Sequence, residues 1–149
     1  MEPIRTVLAA VDLTPRSDRV LEVVRRVAPG ADVVRRIVHV VGDLETQFSV
    51  YGGGEALPDL QNRIEREARG QLLELKQRHF GATEGVEVEV RTGPVWSEIV
   101  AAALHDRADL VFLGAHFADQ PRDKLEGNVG IKVCRFSPCP VVVVPTAAS

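Results

Sequence analysis

Only two cysteines occur in the 149 residues, Cys134 and Cys139, and their spacing fits neither a zinc-ligand pattern nor a redox pair. Buried, reduced thiols in a cytoplasmic protein are the expectation. No apolar run approaches the roughly 20 residues of a membrane-spanning helix. The first residues hold no basic leader, apolar stretch and cleavage site in series, so neither a membrane anchor nor a secretory signal is expected. Charge of one sign is not in excess: the formal net charge is -3, which gives no electrostatic reason to bind nucleic acid or an anionic membrane. The basic doublets Arg25-Arg26 and Arg35-Arg36 are read as a solvated face. The histidines His39, His79, His105 and His116 lack metal-ligand spacing. No Ser, Cys or carboxylate pair has a nucleophile or acid–base setting. A Gly-rich loop ending in Lys-Ser/Thr and a carboxylate pair for Mg²⁺ are both missing. Enzymatic activity is therefore not expected. No repeat or linker divides the chain, so residues 1–149 are read as one domain, with ordinary contents of 45% hydrophobic and 26% charged residues.

What the sequence does have is a regular alternation of apolar runs and amphipathic stretches. Ile4 to Val11 is almost unbroken in apolar character after Arg5-Thr6, as expected of a strand covered on both faces. Thr14 as N-cap and Pro15 at the first helical position open a helix, in which Val20, Leu21, Val24, Val27 and Ala28 recur at helical spacing until Pro29-Gly30. A second strand lies within Val33 to Val41, interrupted by Arg35 and Arg36. After a loop containing Gly52-Gly53-Gly54, Pro58 and Asp59 open a helix with Leu60, Ile64, Ala68, Leu72 and Leu75 inward, and Gly81 ends it. Val86 to Val90 alternates with Glu87 and Glu89, which leaves one wet face and predicts an edge strand. Gly93-Pro94 leads into a helix with Ile99, Val100, Ala103 and Leu104 inward, followed by a strand over Leu110 to Leu113. A helix from Asn128 to Phe136 packs Val129, Val133 and one of Cys134 and Phe136. Pro138 and Pro140 separate it from a last strand, Val141 to Val144. This βαβ series predicts an α/β fold: a doubly wound, Rossmann-like, five-stranded parallel sheet in the order 3-2-1-4-5 with helices on both faces.

In that order the switch point falls between strands one and four, where such sheets bind ligands outside the carboxyl ends of the strands. Asp12 and Gly114 stand at those two ends. The carboxylate of Asp12 can accept hydrogen bonds from a ribose hydroxyl or an adenine amino group; its competing role is a turn or cap with Thr14. Gly114 lets a ligand lie against the backbone, or merely turns the strand. The stretch between Gly114 and Gly127 is long for a βα connection, which usually takes about 2–6 residues. Gly127-Asn128 then marks a helix N-terminus that can receive phosphate oxygens, or a plain cap. Of the histidines, only His116 is placed at this edge. Trp96 and Glu98 are assigned to packing and to helix-dipole compensation.

Ordered pieces along nearly the whole chain resemble the universal stress proteins of the UspA type. They are Val7-Leu-Ala-Ala-Val-Asp12, Val38-His-Val-Val41, Gly93 with Glu98-Ile99, Ala108-Asp-Leu-Val-Phe-Leu-Gly114, Gly127-Asn-Val-Gly-Ile-Lys-Val133 and Pro138-Cys-Pro-Val-Val-Val-Val144. The resemblance implies an adenine-nucleotide alpha-hydrolase-like fold and adenosine contacts at Asp12, Val40 and Gly114. It also implies phosphate contacts at Gly127, Asn128 and the backbone of Val129, and a homodimer formed along strand five, Val141, Val142, Val143 and Val144. Nucleotide-binding members resemble each other in a Gly-x-x-Gly-x9-Gly-Ser/Thr pattern. Here Gly114 and Gly127 match, but Phe117 takes the second glycine's place and Asn128 that of the Ser/Thr. A ring at position 117 blocks close backbone approach, and a left-handed conformation there costs roughly 1–2 kcal/mol. Asn128 still offers an amide donor. Glu126 brings a negative charge beside this site, and Arg122 and Lys124 bring positive ones.

The expectation is a cytoplasmic, dimeric regulatory or binding module of the stress response. Its nucleotide site is degenerate and binds ATP weakly or not at all, with ATP, AMP or adenosine as candidate ligands. The alternative is a working ATP or AMP binder with slow hydrolysis, its loop using Lys124 or Arg122 in place of the lost glycine contact. A phosphorelay receiver needs an Asp after strand three and a Lys after strand five. Arg91-Thr92 and Pro145-Thr146 stand there instead.

Overall fold

The computed structural model describes residues 3–42, 57–115 and 129–146, and among these five strands and four helices alternate. The elements are β1 (Thr6–Ala10), α1 (Arg16–Val27), β2 (Val34–Val41), α2 (Leu57–Phe80), β3 (Val86–Thr92), α3 (Val95–Asp106), β4 (Leu110–Gly114), α4 (Val129–Phe136) and β5 (Val141–Val144). All strand pairs are parallel and the order is β3-β2-β1-β4-β5, as the βαβ series predicts. Gly52 to Gly54 and Asn128 lie outside the described residues.

Side chains on a strand alternate between faces, and this divides the core. Val7, Ala9 and Val11 point to one side, where they meet Val20, Leu21 and Val24 of α1 and Leu72, Leu75 and Phe80 of α2. Leu8 and Ala10 point to the other, against Ile99, Ala102 and Ala103 of α3 and Val129 and Val133 of α4. Both faces of β1 and β4 are dry, which is why their sequences are continuous apolar runs. Each such Val or Leu contributes about 1.5–3 kcal/mol by its burial.

Several local expectations shift. Regular pairing in β1 starts at Thr6 and ends at Ala10, inside the Ile4 to Val11 run, and β3 continues past Val90 to Thr92. Helix α1 begins at Arg16 with Pro15 as its capping residue, so Thr14 lies one position outside; its hydroxyl still receives the Arg16 N–H at 3.3 Å. Val27 is 45% exposed. In α3, Ile99, Ala102 and Ala103 are buried, while Val100 is half-buried and Leu104 is 60% exposed. That helix is apolar almost all round, so periodicity does not fix its inward stripe. Both cysteines are free thiols, but Cys134 is exposed and Cys139 half-buried, so the expected burial is wrong for Cys134. The half-exposed Phe136 ring supplies the third contact of α4, 5.2 Å from the Trp96 ring.

Arg35 overturns the solvated-face reading of its doublet: it is 4% exposed. Its guanidinium donates to the carbonyls of Ala28, Gly30 and Val33, at 2.6–3.2 Å, and lies over the Phe80 ring. It thereby satisfies the Ala28 carbonyl that the end of α1 leaves open, and ties down the turn from Gly30 to Val33 that leads into β2. Arg36 points to the opposite face, pairing with Glu87 at 2.6 Å and lying 2.9 Å from Asp106.

No helix among the described residues is long and apolar enough to cross a membrane.

Candidate functional site

The carboxyl ends of β1 and β2 form the candidate site, and its shape follows from how the chain leaves β1. Asp12 Oδ1 accepts hydrogen bonds from the Thr14 N–H at 3.0 Å, the Thr14 hydroxyl at 2.6 Å and the Ser17 hydroxyl at 3.2 Å. The turn role of Asp12 is therefore present in the structure. Between Asp12 and Thr14, Leu13 is held at φ 63°, a left-handed conformation that costs an L-residue roughly 1–2 kcal/mol. Asp12 bonds over the top of Leu13 and offsets that cost. A strained residue at a strand end beside a cleft is a common mark of a functional site.

The neighbouring strand brings His39 and Val40 to the same place. His39 Nδ1 lies 2.8 Å from the carbonyl oxygen of Val11. A carbonyl can only accept, so Nδ1 carries the hydrogen and Nε2 presents a lone pair. Burial pushes the imidazole below its ordinary range, against smaller upward pulls from the Val11 carbonyl and the Asp12 charge, so the ring is neutral at neutral pH. Nε2 has no partner among the described residues. Only His116 is expected at this edge from the sequence, yet His39 stands there; the signal for it is a polar ring near the end of an otherwise apolar strand.

Two adjoining clefts open here. One, of about 470 Å³, is lined by Asp12, Leu13, His39, Val40, Glu67 and Gln71 among others; the second, of about 170 Å³, runs from Asp12, His39 and Val40 down to Val95 and Ile99. The polar groups are acceptor-rich, and among the described residues neither cleft is lined by Lys or Arg. Such a surface suits the amino and hydroxyl groups of a nucleoside and gives no electrostatic hold on phosphate.

The predicted site residues divide accordingly. Asp12 and Val40 share both clefts. Gly114 is buried at the end of β4, paired in register with Val144, and borders neither cleft. Val129 is buried in the first turn of α4. Gly127 and Asn128, with His116, Phe117, Arg122, Lys124 and Glu126, lie outside the described residues. Val141 to Val144 form β5, at the far edge of the described sheet from β3. Among the described residues no group of three or more His, Cys, Asp or Glu could hold a metal ion.

Comparison with known proteins matches residues 3–145 to the model of the universal stress protein family. The chain is 30% identical over 141 residues to Universal stress protein A homolog 1 of Coxiella burnetii, covering 93% of this chain and 94% of that one. Among solved structures, hypothetical protein MJ0577 superposes with a TM-score of 0.77 at 21% identity, covering 98% of this chain and 99% of its own. A universal stress protein in complex with cAMP superposes with a TM-score of 0.64 at 20% identity, covering 98% of this chain and 100% of its own. The chain belongs to the universal stress protein family.

Proposed function

We propose that this protein is a regulatory binding module that takes the adenosine part of an adenine nucleotide between Asp12, His39 and Val40, holds the phosphates weakly, and works as a homodimer through β5. The observation that carries this reading is the acceptor-rich cleft around Asp12, whose described lining holds no Lys or Arg. The related protein solved with cAMP shows that this fold can accommodate an adenine nucleotide. Carrying the family pattern over, Gly114, Gly127, Asn128 and the Val129 backbone would form the rest of the site. Phe117 in place of a glycine is then the reason phosphate binding is weak. Turnover is not part of the proposal, because the groups that position phosphates and Mg²⁺ for transfer are missing from the sequence.

The dimer reading draws on β5. Its outer edge is unpaired among the described residues, and Val143 is 43% exposed. Beside it, an apolar groove of about 380 Å³ runs between Leu113, Gly130, Ile131, Cys134 and Val143, with Ile131 62% exposed. An apolar edge strand invites pairing with a second copy, antiparallel about a two-fold axis.

Titration calorimetry of wild type, Phe117→Gly, Asn128→Ser and the double variant with ATP and with adenosine tests the site. ATP binding should strengthen in the double variant and adenosine binding should change little, because only the phosphates reach that end. Phe117→Gly should supply the larger share, since it removes both a ring and a backbone restriction. Wild-type protein that already binds ATP as tightly as the double variant would replace this proposal with that of a working ATP binder.

A further inference from the structure

At the opposite end of the sheet a cleft of about 740 Å³ opens between the last turns of α1 and α2, lined by Glu22, Arg25, Arg26, Arg35, His79 and Thr83, among others. β2 spans the distance between the two ends. Arg35 stands at its start and Val40 near its finish, five residues or about 16 Å away. This cleft is therefore separate from the one around Asp12.

Its positive charge is only partly compensated. Arg35 is buried, and its partners are three carbonyl oxygens and the Phe80 ring; no carboxylate faces it. Arg25 and Arg26 form no ion pair with another described residue. The one acid in the lining, Glu22, is engaged by Arg19 at 3.4 Å. His79 and Arg78 are both spent on Asp18, each at 2.6 Å. Helix C-termini carry about half a negative charge each, so the two that meet here, with Glu22, offset about two of the three arginine charges. Roughly one positive charge is left over, on side chains with N–H groups to donate, beside the Thr83 hydroxyl. Because the nearby helix ends present carbonyls, an anion here must be held by guanidinium forks, the groups best matched to phosphate oxygens.

We propose that this cleft is a second ligand site, specific for a small phosphate-bearing anion, with Arg25 and Arg26 as direct ligands and Arg35 as the buried charge that adds to the attraction for the anion. The test uses the full chain and inorganic pyrophosphate, followed by calorimetry and by amide chemical shifts. Saturable binding should appear, with shifts concentrated at residues 22–35 and 79–83. It should weaken about tenfold or more in Arg25→Gln/Arg26→Gln, in line with the loss of two charge-assisted contacts. Raising the salt concentration should weaken it further. Asp12→Ala should leave it unchanged, which separates this site from the nucleotide cleft whatever the latter binds. The two exposed arginines can be changed without touching the core, so a thermal melt like that of wild type will confirm that the variant is folded. Absence of saturable binding at millimolar pyrophosphate would overturn the proposal. So would binding that survives Arg25→Gln/Arg26→Gln, or shifts confined to the Asp12 end.

Discussion

Asp12 has two roles to separate, one in the turn and one toward a ligand, and a pair of substitutions can do it. The turn uses one oxygen, Oδ1, which accepts from Thr14 N, Thr14 Oγ1 and Ser17 Oγ. Asp12→Ala removes all three acceptor contacts and the support for the left-handed Leu13. Thr14 is exposed, so water replaces part of the loss. By analogy with losing a helix cap, the cost should be about 1–2 kcal/mol. For a chain of this size that lowers the melting temperature by about 2–8 °C. Asp12→Asn keeps a carbonyl oxygen in the Oδ1 place and should cost less than about 0.5 kcal/mol. It replaces the carboxylate's charge and second acceptor with a neutral donor, which cannot accept from an adenine amino group and gives a ribose hydroxyl only a neutral hydrogen bond. Losing one charge-assisted hydrogen bond is worth about 1.5–3 kcal/mol, so adenosine should bind about 10–150-fold more weakly. Calorimetric titration with adenosine and thermal denaturation, run on the same three proteins, read the two effects apart. If Asp12→Asn melts like wild type and also binds adenosine like wild type, Asp12 is a turn residue only and the proposed site is misplaced.

Three further outcomes are expected. Val143→Lys should shift the protein from dimer to monomer by light scattering at micromolar concentration; Val143 is the better choice over Val142, which packs against the core. A wild type that is already monomeric would refute the dimer. Gly70 lies inside α2, and a Cβ added there meets nothing within 4 Å, so Gly70→Ala should raise stability by about 0.5–1 kcal/mol in denaturant titrations. Burial pushes the Asp18 carboxyl up, but hydrogen bonds from His79 and Arg78 and their charges outweigh it, and it ends below its usual value of 3.8. A depressed carboxyl stabilises the fold above its unfolded pKa and loses that contribution as pH falls through its folded one. Asp18→Asn should therefore be less stable than wild type at neutral pH, with the gap closing below about pH 4 in urea titrations.

How much of this was legible in the sequence differs from element to element. Strand order was, because continuous apolar runs in β1 and β4 and alternation in β3 distinguish buried from edge positions. The inward stripe of α3 was not: with Val95, Trp96, Ile99, Val100, Ala102, Ala103 and Leu104 all apolar, only contact with the sheet selects Ile99, Ala102 and Ala103. Arg35 was misread because a single strand's pattern does not show that carbonyls from the end of α1 will surround a guanidinium. The placement of Asp12 and Val40 at the carboxyl ends of β1 and β2 was legible from topology and resemblance together. His39 was hidden by its role in the strand, and its tautomer depends on a carbonyl 28 positions earlier in the chain. The strain at Leu13 had no signal at all, since nothing in its side chain favours a positive φ.

The distribution of charge also sharpens what the two ends of the sheet can do. In a parallel α/β sheet the helices run against the strands, so helix N-termini gather at the carboxyl ends and helix C-termini at the other. The Asp12 end follows that rule in an unusual way: its described lining carries no Lys or Arg, so any hold on phosphate there must come from the Gly114 to Gly127 segment and the start of α4. The other end has its arginines, and two helix C-termini with Glu22 offset about two of their three charges, which leaves roughly one for a ligand. On the proposed reading, recognition of a nucleoside and recognition of a phosphate would be carried by different segments of this chain. A substitution in the loop that follows Gly114 can change phosphate affinity without moving Asp12, His39 or Val40. If the proposal holds, that separation would let a chain of this family lose its grip on ATP while keeping a folded cleft for the adenosine part.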